Sequence, residues 1–432
     1  MCVDNFFCRK TLLYSLVCIE ITTFVAKYRY TDMSTSFIQR CRVFFARPFF
    51  SDRRTVFCLW MLLAIAAAVT KVTRCNNFLI FKGVFWHTIH QTSLYAPYPD
   101  EYFDLNFYGP LFSLIIAPFA VTPLFIGLLT WLLFLTGFLY VAVRWSQFTW
   151  RQQVFIFWFC AHELLTALFM QQFNIAISAI ILLSYYCIER EKDFWAAFFI
   201  VLGTFVKLYG IVGLAFFFFS RHKVKLILSL LLWGVLLFVA PMMISSPEYI
   251  ISQYQEWYVS LTEKNADNMF SGGTNISLLG FVRKVTHCAT YSDAWLILGG
   301  LVLFCIPYLR FSQYKYKAFR QTLLASVLMF VVLFSTGSES SGYITPFIGV
   351  VIWYTASPWK RSRWDIALLV FVFILSSMSP SDHFPAYLRK QWVQPYALKA
   401  LPIIIVWLQL CYEMTFKAYG TSQSAEREIG ND

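Results

Sequence analysis

The chain has 432 residues, 59% of them apolar and only 13% charged, against about 25% charged in soluble domains. With 46 Phe, 24 Tyr and 15 Trp, it has too few polar side chains to cover a water-soluble surface, which excludes a soluble enzyme, a secreted disulfide scaffold and a disordered chain. Its 35 basic and 23 acidic residues leave a net charge of +12, but the basic residues sit in short clusters between apolar runs, as cytoplasmic loops of membrane proteins do. No basic stripe interleaves with aromatics, so nucleic acid is not an expected partner. The eleven cysteines are scattered, without C-x-x-C or Cys/His metal spacing, and read as small hydrophobes. The composition describes an all-α polytopic membrane protein.

Residues 1–50 read as an extension. The stretch 11–26 is moderately apolar but contains Glu20 and lacks a small-x-small cleavage site, so it is a poor signal peptide. It is either a weak extra anchor or an upstream extension, with Met33 as an alternative start. Residues 51–420 form the multi-pass domain and 421–432 a polar tail. Candidate spans are 56–72, 124–143, 153–170, 172–188, 224–246, 292–309, 321–337, 341–356, 364–378 and 398–415. The segment 109–122 is too short to cross comfortably. The segment 194–219 divides into two half-length pieces around Lys207-Leu208-Tyr209-Gly210, a pattern for a re-entrant hairpin. About ten to twelve crossings are expected.

Lys/Arg clusters at 53–54, 144–151, 190–192, 221–225, 310–317 and 360–363 should face the cytoplasm. The longest polar segments, 73–108, 247–290 and 379–397, then fall together on the opposite side. That arrangement suggests a site built at the outer membrane surface.

The first outer loop is the richest, with Asp100, Glu101 and Asp104 among Tyr and Trp residues and Tyr108-Gly109-Pro110-Leu111 at its end. Such carboxylates can act as a general base or hold sugar hydroxyls; otherwise this is a solvated loop with interfacial aromatics. His162, Glu163 and Lys207 are ionisable groups in apolar runs, so each should face a protein cavity and a partner. A Lys at a re-entrant tip is placed to hold a lipid phosphate; the structural alternative is a Glu163–Lys207 pair. Gln171-Gln172-Phe173-Asn174 starts a helix at the outer end of a span, and Ser338-Glu339-Ser340-Ser341-Gly342-Tyr343 adds a carboxylate there. Gly272-Gly273-Thr274-Asn275-Ile276-Ser277 is a flexible polar turn and a nominal N-glycosylation sequon.

Taken in order, these motifs resemble glycosyltransferase family 87, membrane enzymes of the GT-C fold that use polyprenyl-phosphate sugars. The likeness spans roughly 56–356 and rests on Asn77-Phe78-Leu79-Ile80-Phe81, Tyr108-Gly109-Pro110-Leu111, Gln171-Gln172-Phe173-Asn174, Lys207-Leu208-Tyr209-Gly210 followed by Arg221-His222-Lys223, and Asn275-Ile276-Ser277. Asn77 stands where the family pattern has a catalytic aspartate, and Gly109, Gln171 and Gly210 replace Pro, Gly and Pro.

The resemblance implies a GT-C-like bundle with large outer loops in the cytoplasmic membrane. It further implies transfer of a hexose, mannose-like, from a polyprenyl-phosphate donor to a lipid or glycan acceptor outside the cytoplasm, with no cofactor and no metal pair. Lys207 would hold the donor phosphate. Tyr108, Gln172, Asn174, Tyr209, Asn275 and Ser277 would hold substrate, and His162 and Glu163 are its buried ionisable groups. An amide cannot accept the acceptor's proton, so the expected base is Asp104, with Asp100 and Glu101 as alternates. The rival readings are a transporter or flippase of a lipid-linked sugar, a catalytically inactive family member and a non-catalytic scaffold.

Overall fold

Apolar helices form because, away from water, a backbone amide must be satisfied within its own segment. In the computed structural model, residues 43–44 and 46–420 are described, except 272, 289 and 383. Residues 1–42 of the expected extension and the tail 421–432 lie outside them.

The described region is predominantly helical, with no strand there. In order, the helices are α1 (Arg53–Lys71), α2 (Asn76–His90), α3 (Phe112–Ala120), α4 (Leu124–Arg144), α5 (Trp150–Phe159), α6 (Ala161–Phe169), α7 (Asn174–Glu189) and α8 (Asp193–Lys207). A 3₁₀ arm, Tyr209–Phe219, follows α8. Next come α9 (Lys223–Val239), α10 (Pro247–Phe270), α11 (Leu278–Thr286), α12 (Asp293–Cys305), α13 (Lys317–Leu333), α14 (Ile344–Ala356), α15 (Arg363–Phe371) and α16 (Leu401–Phe416). Starts are marked by side-chain caps. Asp52 accepts from Thr55 N at 2.9 Å before α1, and Thr149/Gln152 and Ser362/Asp365 form capping boxes before α5 and α15.

Among the described residues four helical segments are long and apolar enough to cross a membrane: Arg53–Arg74, Leu124–Arg144, Lys223–Met243 and Leu398–Phe416. The pair α5–α6, bent by 47° at Cys160, passes the same test when taken together, as a broken span or a re-entrant loop. The expected ten to twelve crossings also counted shorter segments, such as Asn174–Glu189 and Asp293–Leu309. Helix α7 is buried around nearly its whole circumference, as are α13 and α14. That all-round apolarity marks the bundle centre. By contrast α9 is mostly exposed and apolar, a surface suited to lipid.

The basic clusters gather at one end. Arg190 donates to Trp145 O, Lys317 to Gln147 O and Arg310 to Met414 O, while Arg320–Glu189 and Arg361–Glu413 pair at 2.7 and 2.8 Å. The opposite end, called here the loop face, collects residues 91–111, α10, α11 and 335–343. Tyr249 OH donates to Thr92 O, Ile276 N to Ser338 O and Tyr343 OH to Ile276 O.

The hairpin expected over 194–219 is present as α8 and the 3₁₀ arm. The chain reverses at Leu208, whose φ of 42° is left-handed, and the two arms run side by side because Gly203 and Gly210 touch backbone to backbone. A Cβ at Gly210 would collide with Gly203 and Thr204. At the far end Ser220 donates to Asp193 at 2.6 Å and Arg221 pairs with Glu191 at 2.7 Å. Both ends of the hairpin therefore sit at the basic end, with Lys207 at the tip.

Asn275 is fully buried, so the sequon amide is closed to a glycosylating enzyme in the folded chain. For topology, single cysteines at the exposed positions Asp100 and Asn265 should label from the non-cytoplasmic side, and at Arg221 and Lys360 only from the cytoplasm. Labelling of all four from one side would overturn this orientation.

Candidate functional site

Lys207 closes α8 at the loop face. Its ammonium donates to Asn174 Oδ1 at 2.6 Å and lies 5.3 and 5.5 Å from the ring centroids of Tyr108 and Tyr209. Asn174, the first residue of α7, is presented by Gln171, whose φ of 55° turns the chain before the helix. The Asn174 amide then donates to Gln172 Oε1 at 2.8 Å, and Gln172 Nε2 donates to Glu339 Oε2 at 2.9 Å. Ser341 joins both amides, donating to Gln172 Oε1 at 3.0 Å and accepting from Asn174 Nδ2 at 3.3 Å. A relay of aligned donors thus runs from an ammonium through two amides to a carboxylate. In a low-dielectric setting such bonds polarise and strengthen one another.

Three further contacts complete this cradle. Tyr108 OH accepts from Phe173 N at 3.3 Å, Tyr209 OH and Ser335 Oγ are 2.8 Å apart, and Gly109 N donates to Val206 O at 3.1 Å. Gly109 is required there, because a Cβ would meet the Phe205 carbonyl and the Trp257 ring. The segments holding Tyr108, Gln172, Asn174, Lys207 and Tyr209 come from three parts of the chain and converge at one point.

A second buried cluster adjoins the first. Lys399 Nζ pairs with Glu163 Oε2 at 3.0 Å, donates to Ser340 Oγ at 2.8 Å and lies 4.5 Å from the Tyr343 ring centroid. His162 Nδ1 is 2.7 Å from Ser377 Oγ. The structural alternative of a Glu163–Lys207 pair is therefore corrected. Glu163 belongs to Lys399, and Lys207 points instead to the amide of Asn174. Burial forces the choice, since a carboxylate with no exposed surface needs the nearest cation. Lys399 itself was not singled out from the sequence; the only signal available was that an intramembrane acid requires some basic partner.

The loop carboxylates lie elsewhere. Asp100, Glu101 and Asp104 are exposed. Glu101 sits 3.3 Å from His87 Nε2, and Asp104, at a left-handed φ of 74°, accepts from its own neighbour Leu105 N at 2.8 Å. Asn77 Nδ2 donates to Met170 O at 2.7 Å, one residue before Gln171, so it borders the cradle. Asn275 and Ser277 are buried and bonded to each other at 2.6 Å; the backbone between them docks on Ser338 and Tyr343. Among the described residues no cluster of three or more His, Cys, Asp or Glu is placed to hold a metal ion.

A sequence model described as Glycosyltransferase family 87 matches residues 106–336. The chain belongs to this family. It is accordingly a membrane glycosyltransferase, a class that takes a sugar donor and an acceptor. The match holds Tyr108, Gln172, Asn174 and Lys207 within it and leaves Asn77, Asp104, Glu339 and Lys399 outside. No curated protein matches the chain.

The Lys399–Glu163 pair yields a stability prediction. Lys399→Met should cost ~3–5 kcal/mol by stranding a buried carboxylate, and adding Glu163→Gln should recover most of that loss. Thermal unfolding of the purified single and double variants in lipid nanodiscs measures both.

Proposed function

We propose that this glycosyltransferase moves a hexose, mannose-like, from a polyprenyl-phosphate donor to a lipid or glycan acceptor on the non-cytoplasmic face of the cell membrane. The observation that carries this reading is Lys207, a cation held by a neutral amide at the head of an apolar track. Leu208, Ile211 and Leu214 are all exposed. Ile211 and Leu214, three residues apart on the 3₁₀ arm, share one face and follow Leu208 at the turn, giving a lipid tail a path that starts beside Lys207.

In the proposed step, an acceptor hydroxyl oxygen bonds to the anomeric carbon while the bond from that carbon to the phosphate oxygen breaks. Polyprenyl phosphate leaves with the electron pair, and configuration inverts. Charge grows on the departing phosphate, where a fixed cation stabilises it most. The acceptor's proton passes to a carboxylate. Tyr108, Tyr209, Gln172 and Asn174 orient the sugar, with Asn275 and Ser277 bracing the turn behind them.

Asp104 is the proposed base, four residues before Tyr108 in the chain, and to serve it must leave its bond to Leu105 N and turn towards the cradle; Asp100 and Glu101 are the alternates on that loop. A second candidate is Glu339, favoured by its hydrogen bond to Gln172 within the relay.

Lys207→Met should weaken binding of a polyprenyl-phosphate sugar about 10- to 100-fold, the worth of one charge-assisted hydrogen bond, and Lys207→Arg should keep part of it. Unchanged donor binding in Lys207→Met would refute the reading. Asp104→Asn should lower transfer by about 10²- to 10⁴-fold while sparing donor binding. The same loss in Glu339→Gln, with Asp104→Asn active, would move the base to the turn. Asn77→Asp should be neutral or harmful, and a large gain would identify the native chain as a member that has lost its base. Radiolabelled sugar transfer by the purified protein reads all of these.

A further inference from the structure

Beside the Lys207 cradle lies a separate cavity of about 380 Å³, within the usual range for small-ligand sites of roughly 300–1,000 Å³. Its floor is a buried ion pair, Arg283 Nη2 to Asp293 Oδ1 at 2.8 Å, with the Arg283 guanidinium 4.4 Å from the Tyr291 ring centroid. The pair leaves no net charge. Asp293 Oδ2 is buried and accepts no hydrogen bond, an acceptor waiting for a donor. Burial, with Asp293 beside it, pushes the Tyr291 phenol up to about 12.

Two other walls define what fits. On one side Asn265 and Thr336 face each other, Thr336 Oγ1 donating to Asn265 Oδ1 at 2.5 Å. Thr336 follows Ser335, the partner of Tyr209, and the same turn carries Glu339. The cavity and the cradle therefore share the 335–341 turn. On the other side Ala294 and Ile297 line the cavity at the start of α12, a helix whose Trp295, Leu298 and Val302 are exposed apolar surface. Hydroxyl-binding groups face one way and lipid-facing surface the other.

We infer that this cavity is the acceptor subsite and takes the uncharged, sugar-like head of a membrane-anchored acceptor. A neutral ion-paired floor with an unmet acceptor suits hydroxyl groups better than a phosphate, which would demand a net positive floor. A ligand there is carried by its tail along α12 and presents its head to the turn that also holds the cradle. The inference rests on the transferase reading above, since the cradle is taken as the donor end.

The test uses purified full-length protein in lipid nanodiscs, with native cysteines replaced and a single cysteine at Asn265, and octyl glucoside as probe. At roughly ten times its dissociation constant octyl glucoside should slow maleimide labelling about ten-fold, while a control cysteine at Asp100 is unaffected. Ala294→Trp, which fills the cavity from an exposed position, should abolish the protection and raise the acceptor KM with donor binding intact. Absence of protection, or equal protection by octyl phosphate, overturns the inference. Lys207→Met separates the two readings. Protection that fails while Lys207→Met still loses donor binding removes only the subsite. Protection that holds while Lys207→Met binds donor normally supports the sugar site and removes the donor assignment.

Discussion

The structure turns on how two lysines, Lys399 buried and Lys207 half-buried, are satisfied. Taking an ammonium out of water is costly unless a partner restores what hydration supplied. Lys399 meets this demand with a carboxylate, Glu163, at 3.0 Å. Lys207 meets it with a neutral oxygen, that of Asn174, and among the described residues no carboxylate lies within ion-pair distance of it. The first lysine is neutralised and structural. The second stands at the tip of a hairpin with its counter-charge, Glu339, set two amides away.

Glycine makes that tip possible. Because Gly203 and Gly210 meet without side chains, the 3₁₀ arm can return directly along α8 and hold Lys207 at a defined height. Gly109 lets the 108–110 segment close over the Phe205 carbonyl, which sets the Tyr108 ring beside the ammonium. At Gly109 and Gly210 the missing side chain permits a closer fit of backbone on backbone than any other residue would.

Much of this was legible beforehand, for identifiable reasons. The break at Lys207–Gly210 could be read because two half-length apolar runs meet a lysine and a glycine, and the helix start at Gln171–Asn174 because amides end an outer polar stretch. Those signals are local. The Lys399–Glu163 pair spans 236 positions, and nothing in the spacing of an isolated acid says which distant lysine will reach it. Glu339 was visible as a carboxylate at a span's outer end, but its bond to Gln172 depends on two turns 167 positions apart. For Asp104, nearness to Tyr108 in the sequence was the argument. The chain between them is occupied by buried Asn106, which bonds both the amide and the carbonyl of Tyr108, while the Asp104 carboxylate bonds its own neighbour. Sequence proximity to a site is not the same as orientation into it.

The relay also explains how the cradle holds its shape. Every bond in it points the same way, from the Lys207 ammonium through Asn174 and Gln172 to Glu339, so the distant carboxylate fixes the direction of each amide. An amide flipped end over end would set donor against donor at one of its contacts and acceptor against acceptor at the other. Glu339 thus orients Asn174 Oδ1 towards the lysine from two side chains away, without neutralising it at close range. The ordering seen here follows from that separation of roles: one charge stands at the tip of the hairpin, and its counter-charge holds the amides that present it.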